Sequence, residues 1–484
     1  MFRHGKIVVA ASLCLVLLAA VVAFAAQPET QDEMTGVDLT VYNQNLAVVK
    51  DRRTLGLKAG VNEIAFRDVA KLIEPATVLF RSLTDPEGTM VLEQNYEYDL
   101  VGSQKLLEKY VDEEITLVTE DGSVYGGILL SGVQDVILQD EDGAVTLVRQ
   151  DQVREFSFPG LPEGLITKPT LLWLVEAAEE GAHDIEVTYM TQGINWQADY
   201  VLLLNQEDTQ IDLEGWITLN NNSGATYRDA KLKLIAGEIH RAQEALPYPV
   251  MVEEKALALD AGGQPQVEER EFFEYHLYEV QRPVTVKDRQ TKQIEFTSAS
   301  GASAGKFFVY DASQRPWYYY YAPITEPSYG QTSNREVMIM LEFDNSEDAG
   351  LGVPLPKGTV RVYKEDTDGS TQFIGEDTID HTPKDETVQL YLGDAFDIIG
   401  ERKQTDFRKP SARSIEESYE ITIRNHKDED VKVRVVEHMF RWSEWEIEET
   451  TDEYVKTDSR SIEYRVEVPS DGEETIEYTV RYRW

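Results

Sequence analysis

The sequence predicts an all-β fold: multidomain antiparallel β-sandwiches with a small SH3/Sm-like barrel insert and a C-terminal immunoglobulin-like sandwich. First, apolar and polar residues alternate with a period of two through most of the chain, which is typical of half-buried strands. Second, Gly, Asp, Asn and Pro interrupt this alternation about every ten residues, as in strands joined by short turns. Third, the 484 residues with 42% hydrophobic side chains can form several cores, at roughly 100–200 residues per domain.

Residues 1–25 have the pattern of a signal peptide. Arg3 and Lys6 precede an apolar run over residues 7–22, and Ala23, Phe24 and Ala25 give the small-x-small pattern of a cleavage site. This pattern predicts export to the periplasm or the extracellular space, with cleavage near Ala25. The alternative is an uncleaved N-terminal anchor, because the apolar run is long enough to span a bilayer.

An N-terminal β region is predicted at 37–100 and continues at 159–250, after an insert at 101–158. The insert begins with helical spacing at 103–110, and about five short strands divided by Asp-Gly turns follow. Closure into a barrel removes the edges that such short strands would expose, so we predict an SH3/Sm-like barrel. Acidic residues surround it, so we interpret it as an interaction or structural insert rather than an RNA-binding module.

Three further regions complete the predicted domain organisation. Residues 251–281 are rich in Glu and interrupted by Gly, which predicts an acidic mobile loop. A central β domain is predicted at 282–410. The C-terminal immunoglobulin-like sandwich is predicted at 411–484.

The C-terminal region shows the alternation most clearly. Residues 462–468 and 476–484 alternate on either side of a turn at 469–472, which predicts a hairpin. Likewise, residues 419–423 are predicted to pair with residues 431–435. Together these strands predict a small two-sheet sandwich.

The charge of the chain excludes several classes of partner. It holds 88 Asp and Glu against 46 Lys and Arg, a formal net charge of -42. Nucleic acid binding needs clustered cations, and anionic lipid repels an acidic surface. We therefore predict no nucleic acid partner, and no direct lipid binding beyond an uncleaved N-terminal anchor. Cys14 is the single cysteine, so signal cleavage would leave no disulfide and no thiolate metal ligand.

Several long strings in the second part of the chain are distinctive. They lie at residues 189–200, 222–234, 274–278, 351–358 and 424–426. They resemble the bacterial domain of unknown function 4139 family, which also includes mucoidy-inhibitor-type proteins, and the resemblance extends from about residue 184 to the C-terminus. It implies an exported or envelope-associated β-rich protein without an assigned reaction, and it carries over no catalytic residue.

A dense aromatic run between two prolines supplies the candidate ligand contacts. These are Trp317, Tyr318, Tyr319, Tyr320 and Tyr321. An extended run would display rings on both faces, and exposed Tyr and Trp favour sugar or protein contacts. The alternative is core packing, or a strand edge against a neighbouring domain.

One motif favours catalysis. Residues 301–305 match G-x-S-x-G around Ser303, and His381, His426 and His438 follow in the order of an α/β-hydrolase triad. That motif needs a strand-to-helix turn, whereas the residues after it have a strand pattern, so we favour a flexible loop of small residues.

No pair of histidines has the spacing of a zinc site, and no acidic turn fits a twelve-residue calcium loop. The sequence therefore predicts no metal and no cofactor.

The sequence as a whole predicts an exported, non-catalytic, envelope-associated binding or scaffold protein of unknown ligand. Its partner would be an envelope protein or a glycan. The alternative is a secreted hydrolase of envelope polysaccharide or ester, acting through Ser303 or through an acid pair that the sequence does not reveal. The sequence thus leaves open whether the protein is an enzyme, with a preference for no catalysis.

Overall fold

The computed structural model describes residues 33–162, 165–237, 239–241, 267–272, 275–312, 322–331 and 333–484. The protein is 63% strand and 3% helical, so the predicted all-β class is confirmed. A single α-helix, α1 (Ser103–Lys109), and two 3-10 turns (Pro75–Thr77 and Gln150–Gln152) lie among the described residues. None of the helices in the described ranges has the length and apolarity to cross a membrane.

Fifteen strands lie in the described part of the chain before residue 240. They are β1 (Glu33–Tyr42), β2 (Leu46–Leu57), β3 (Gly60–Arg67), β4 (Leu79–Ser82), β5 (Thr89–Glu97), β6 (Glu114–Thr119), β7 (Val124–Ser131), β8 (Asp135–Gln139), β9 (Val145–Arg149), β10 (Val153–Ser157), β11 (Thr170–Ala177), β12 (Gly181–Thr191), β13 (Ile194–Leu204), β14 (Gln210–Asn221) and β15 (Tyr227–Ala236).

Another fifteen strands follow in the described part of the chain. They are β16 (Val267–Phe272), β17 (Tyr275–Val280), β18 (Val284–Val286), β19 (Gln290–Asp311), β20 (Met338–Asp344), β21 (Gly358–Glu365), β22 (Thr371–Ile379), β23 (Thr387–Asp394), β24 (Ile398–Ser411), β25 (Ser414–Asn425), β26 (Val431–His438), β27 (Trp445–Thr450), β28 (Tyr454–Lys456), β29 (Ser461–Val468) and β30 (Glu473–Arg483).

Two large sheets form the first sandwich. One has the order β16-β17-β15-β1-β2-β12-β4, with β18 also paired to β15, and the other contains β22-β21-β13-β14-β19. Their facing side chains, among them Leu39, Val41, Tyr200, Leu202 and Ile217, are buried in one core. A three-stranded sheet, β3-β11-β5, packs on the same core.

The insert has a core of its own. Its sheet has the order β10-β6-β7-β8-β9, and α1 contributes Leu107 to a cluster with Leu117, Leu129 and Val136. The predicted short helix and five short strands are confirmed within one or two residues at each end. The domain boundaries themselves stay a prediction.

The predicted acidic loop at 251–281 lies partly outside the described residues. Its described portion differs from the prediction, because β16 and β17 pair as an antiparallel hairpin at the edge of the eight-stranded sheet. Val267, Leu277, Tyr278 and Val280 are buried there. The many Glu residues favoured a loop over a strand pattern in this segment, although these four apolar side chains reach the core.

Strand β19 connects the first sandwich to the second. Ile294 and Phe296 near its start belong to the first core, and Phe308 and Tyr310 near its end belong to a second core. The predicted loop at 301–305 is therefore wrong. Gly301, with φ +70°, forms a β-bulge opposite Asp212 and donates its N–H to the Asp212 carboxylate at 2.8 Å.

The C-terminal sandwich has different strand partners from those predicted. Strand β25 pairs with β24 and β30, whereas β26 pairs with β29 and with the end of β19. The predicted hairpin and the predicted pairing of 419–423 with 431–435 are therefore wrong. Each turn connects two facing sheets, and a period-two pattern specifies the buried face of a strand but not its neighbour.

The same strand arrangement occurs in both sandwiches. In the first, β14 pairs with β13 and β19, and β15 pairs with β18. In the second, β25 pairs with β24 and β30, and β26 pairs with β29.

A fully buried asparagine ends the central strand of each arrangement, Asn221 on β14 and Asn425 on β25. Each side-chain amide donates to carbonyls of the turn before the neighbouring strand, at 3.1 Å to Lys287 and at 3.0 Å to Pro469. Each asparagine thus closes one end of its sandwich.

Candidate functional site

A cleft of about 270 Å³ opens where β21 begins beside β13. The two strands are parallel, and their ladder starts at the pair Ala198 and Gly358. On its other side, β13 is already paired with β14 from Ile194 onward. Residues 195–197 therefore precede the start of the ladder with β21, and the cleft lies along this stretch.

The lining of the cleft combines amide and hydroxyl side chains with apolar surface from residues such as Trp196 and Pro356. Amide and hydroxyl groups both donate and accept hydrogen bonds, so they suit a ligand rich in such groups. Lys357 and His381 stand at the rim as exposed side chains, and the lining contains no carboxylate although the chain carries a net charge of -42. The lining residues are Asn43, Asn195, Trp196, Gln197, Ala198, Pro356, Lys357, Gly358, Thr359, Thr378 and His381.

Contacts at the start of β21 hold the wall of the cleft in place. The Tyr200 hydroxyl donates to the carbonyl oxygen of Pro356 at 2.7 Å, and the backbone N–H of Lys357 donates to Nδ1 of His381 at 3.2 Å. That bond requires the Nδ1 of His381 to be unprotonated. The wall is therefore fixed before a ligand arrives.

The floor of the cleft requires a glycine at position 358. A Cβ on Gly358 would lie 2.2 Å from the carbonyl oxygen of Ala198, which belongs to the neighbouring backbone and cannot rotate away. Trp196 is buried beneath the floor, and its indole N–H donates to the carbonyl oxygen of Ile235 at 3.2 Å. Its ring meets Tyr278 edge-on at 6.0 Å between centroids, so Trp196 supports the cleft from the core side.

Asn43 lines the cleft and carries an unsatisfied polar atom. Its side-chain oxygen is buried and accepts no hydrogen bond from the described residues. The turn that carries it is fixed, because Asn45 accepts the backbone N–H of Gly193 at 3.0 Å. A buried acceptor without a donor is costly, so this oxygen lowers the stability of the turn that carries it.

The carboxylate nearest this lining along β13 is neutralised by a cation. Asp199 is buried, and Arg361 on β21 lies 3.0 Å from it. Burial opposes ionisation of Asp199, but hydrogen bonds from Thr218, Arg361 and Gln197 outweigh burial and hold its pKa below the ordinary value. At the rim, Lys357 pairs with Asp380 at 3.1 Å. The charged groups beside the cleft thus already have partners.

The predicted ligand contacts at 317–321 lie outside the described residues. The segment that follows them is anchored by two buried arginines of the C-terminal sandwich. Arg441 donates to the carbonyl oxygens of Ile324, Glu326 and Tyr329 at 2.8–3.0 Å, and Arg402 donates to that of Gly330 at 2.9 Å.

Ser303 has no nucleophile elbow around it. It is exposed on β19 and pairs with Gln210 of β14, so no strand-to-helix turn presents its hydroxyl. Of the three histidines considered with it, His381 lines the cleft and His438 lies between two other side chains.

His438 bridges Asp311 and Ser461. One ring nitrogen lies 3.0 Å from the Asp311 carboxylate, and the other lies 2.9 Å from the Ser461 hydroxyl. Burial opposes protonation of His438, but the hydrogen bond and charge of Asp311 outweigh burial and raise its pKa. Ser461 is only 7% exposed and sits in the ladder between β26 and β29. The three side chains have the composition of a catalytic triad, and they also tie β19, β26 and β29 together.

Sequence reasoning missed the cleft, although the signal was present. The strings at 189–200 and 351–358, quoted above for the family resemblance, contain seven of its lining residues. Core packing and turn formation explain Trp196 and Pro356 in these strings but not Asn195 or Gln197. Asn43 has no sequence signal at all, because it reaches the cleft only through the fold.

A family model described as domain of unknown function 4139 (DUF4139) matches residues 185–484. A search of curated proteins found no match. Within the described ranges, no group of three or more His, Cys, Asp or Glu side chains could hold a metal ion.

Proposed function

Because the chain belongs to the DUF4139 family, whose model covers residues 185–484, we propose that it is an exported, envelope-associated binding or scaffold protein that holds its ligand in the cleft between β13 and β21. The observation that carries the proposal is the set of uncharged polar side chains that paired strands hold in the cleft, namely Asn195, Gln197, Thr359 and Thr378. Groups already held in place lose little conformational entropy on binding, which favours recognition.

The ligand class follows from the charges. An acidic ligand would meet the field of a chain with a net charge of -42, and no lining carboxylate is present to hold a cation. The proposed ligand is therefore an uncharged part of an envelope protein or glycan.

Photo-crosslinking in the native organism tests the binding role. A photoreactive amino acid replaces Thr378, which is exposed at the cleft, and in a matched control it replaces Thr371, which is exposed near the other end of β22. We expect a crosslinked envelope component from position 378 and none from position 371. The same products from both positions, or none from either, would overturn the binding role of the cleft.

Export has a separate test. The full chain and a chain without residues 2–25 are expressed in the native organism and located by fractionation. We expect the full chain outside the cytoplasm and the shortened chain inside it. Retention of both in the cytoplasm would refute export.

A hydrolase remains the second candidate, favoured by the bridge from Asp311 through His438 to Ser461. It would need Ser461 to become accessible, since a nucleophile must reach its substrate. Fluorophosphonate labelling of the full chain decides between the two: labelling that the substitution Ser461→Ala abolishes supports the hydrolase, and a blank result removes it.

A further inference from the structure

The uncharged polar side chains of the cleft continue across the outer face of the sheet. Strands β22, β21, β13, β14 and β19 are successive neighbours in the ten-stranded sheet. Side chains on this outer face alternate with core side chains, as Thr218 does with Ile217 and Leu219. We call the amide and hydroxyl side chains of this face the polar band. They are Thr378 on β22, Thr359 on β21, Asn195 and Gln197 on β13, Thr218 and Asn220 on β14, and Thr291 and Gln293 on β19.

Strand pairing sets members of the polar band beside one another. Gln197 lies opposite Thr218, and Thr218 lies opposite Gln293. The other opposed sets are Asn195, Asn220 and Thr291, and Thr359 and Thr378. Neighbouring strands are about 4.8 Å apart, so five strands give the band a length of roughly 19 Å. This length suits an extended chain rather than one small molecule.

Hydrogen bonds between strands hold the far part of the band in place. The side-chain amide of Gln293 donates to the Thr218 hydroxyl at 3.2 Å. The hydroxyl of Thr291 donates to the side-chain oxygen of Asn220 at 2.6 Å. Side chains that are already ordered lose little conformational entropy when a ligand binds.

Trp216 supplies apolar surface beside the polar band. It precedes Thr218 by two positions on β14, so its side chain also lies on the outer face. The ring is half-buried, and its indole N–H donates to the Glu214 carboxylate at 3.4 Å. The C–H face of a sugar ring can pack on such an aromatic surface.

The charges of this face select against an acidic ligand. Asp199 lies opposite Thr359, but it is buried and paired with Arg361 at 3.0 Å. Glu214 and Glu295 lie on either side of Trp216, one on its own strand and one opposite it on β19. With a net charge of -42 on the chain, these carboxylates repel an anionic chain.

The sheet also favours a sugar chain over a protein segment. Strands β21, β13 and β14 each have a partner strand on both sides, so their outer face offers a ligand mainly side chains. Protein interfaces have an apolar core, whereas this face consists mainly of amide and hydroxyl groups beside the ring of Trp216. Each unit of a sugar chain carries hydroxyls that both donate and accept hydrogen bonds, which matches these groups.

We infer that the ligand is a neutral polysaccharide chain that lies across the strands, with one part in the cleft and the rest along the polar band. This inference rests on the proposed binding function and specifies its ligand.

The first experiment measures binding of the full chain to soluble neutral oligosaccharides of hexose and of N-acetylhexosamine, from single units to chains longer than the band. Matched chains that carry carboxylates are measured beside them. We expect the affinity for neutral chains to rise with length until the band is filled and then to level off. The carboxylated chains are expected to bind about tenfold or more weakly. Failure of every neutral chain to bind, or an affinity independent of length, overturns the inference.

The second experiment locates the bound chain with substitutions at the two ends of the band. Gln293→Ala removes a hydrogen-bonding group at the far end, so we expect long chains to bind about threefold or more weakly and short chains to be unaffected. Thr378→Trp fills the rim of the cleft and is expected to weaken both. The matched control is Gln372→Ala, which removes an exposed glutamine near the other end of β22. Equal effects of Gln293→Ala and Gln372→Ala refute binding along the band.

The outcomes separate this inference from the proposed function. A peptide crosslinked from position 378, with no neutral chain that binds, would support the binding role of the cleft and refute the polysaccharide. A sugar weakened only by Thr378→Trp, at every chain length, would confine the ligand to the cleft and refute the band. Absence of both crosslinking and sugar binding would overturn both proposals.

Discussion

Arg441 is the most informative residue for testing how the C-terminal sandwich is held together. It is among the largest fully buried side chains, and its carboxylate partner Glu417 is also completely buried. Their Nε and Oε2 atoms lie 2.7 Å apart but are not aligned as a hydrogen bond, whereas a terminal nitrogen of Arg441 donates to the other Glu417 oxygen at 2.7 Å. Three more donations fix the carbonyl oxygens of residues 324, 326 and 329.

The substitution Arg441→Met removes the cation and leaves the Glu417 charge buried without a counter-charge. Loss of one partner of a buried ion pair costs about 3–5 kcal/mol, so we expect a decrease of this size in the free energy of unfolding of the C-terminal sandwich. The double variant Arg441→Met/Glu417→Gln removes the stranded charge as well. We expect it to be more stable than the single variant, while part of the loss remains because three carbonyl oxygens lack a donor.

Hydrogen exchange of strands β25 and β26 in increasing urea measures the stability of this sandwich, because a single global transition is not assured for a chain of several domains. The control is Arg483→Met, whose side chain is 51% exposed and whose pair with Glu446 spans 3.7 Å; its expected cost is below about 1 kcal/mol. The reasoning fails if Arg441→Met costs no more than this control, or if the double variant is less stable than the single one.

Three further predictions concern the cleft, the histidine bridge and the asparagine turns. Gly358→Ala forces a Cβ to within 2.2 Å of a neighbouring backbone oxygen, so we expect faster hydrogen exchange in β21 and a decrease of about 1–3 kcal/mol in the free energy of unfolding. The control Gly305→Ala places its Cβ in open space on β19 and is expected to be neutral. Equal effects of the two substitutions would contradict the close contact. The pKa of His438 is raised above its ordinary 6.5. The stability that protonated His438 adds to the folded state is therefore complete below pH 6.5 and is lost as the pH rises through the folded-state pKa. His438→Gln is expected to remove this pH dependence from urea unfolding curves, and an unchanged dependence would contradict the role of His438. Asn425→Ala leaves the carbonyl oxygen of Glu429, in the turn after β25, and that of Pro469, in the turn before β30, without this donor. We expect a loss of about 1–3 kcal/mol per unpaired group, measured by hydrogen exchange of β25. A loss below about 0.5 kcal/mol would refute the role of Asn425 in joining these turns.

The local elements of the fold were largely predictable from the sequence. The short helix and five short strands of the insert follow from helical spacing and Asp-Gly turns, which are interactions between residues close in the chain. The bulge at Gly301 was not predictable in the same way. A run of small residues is compatible with a loop, and only pairing with β14 across Asp212 makes it part of a strand.

The candidate site was less predictable, for a physical reason. Asn43, Asn195 and His381 are brought together by parallel pairing of β13 with β21 and by the turn after β1, and no local pattern encodes these contacts. Gly358 is a partial exception. A glycine at the start of a strand predicts a close backbone approach, but not which strand approaches.

The sequence by itself determined the all-β class, the face of each strand that is buried and the family to which residues 185–484 belong. Only the tertiary structure decided which strands are neighbours. Alternation with a period of two is satisfied equally by a hairpin and by two strands in facing sheets, because it records burial and not hydrogen-bond partners. The cleft results from a register offset between β13 and β21, so it is a property of pairing between distant segments and exists only in the folded chain.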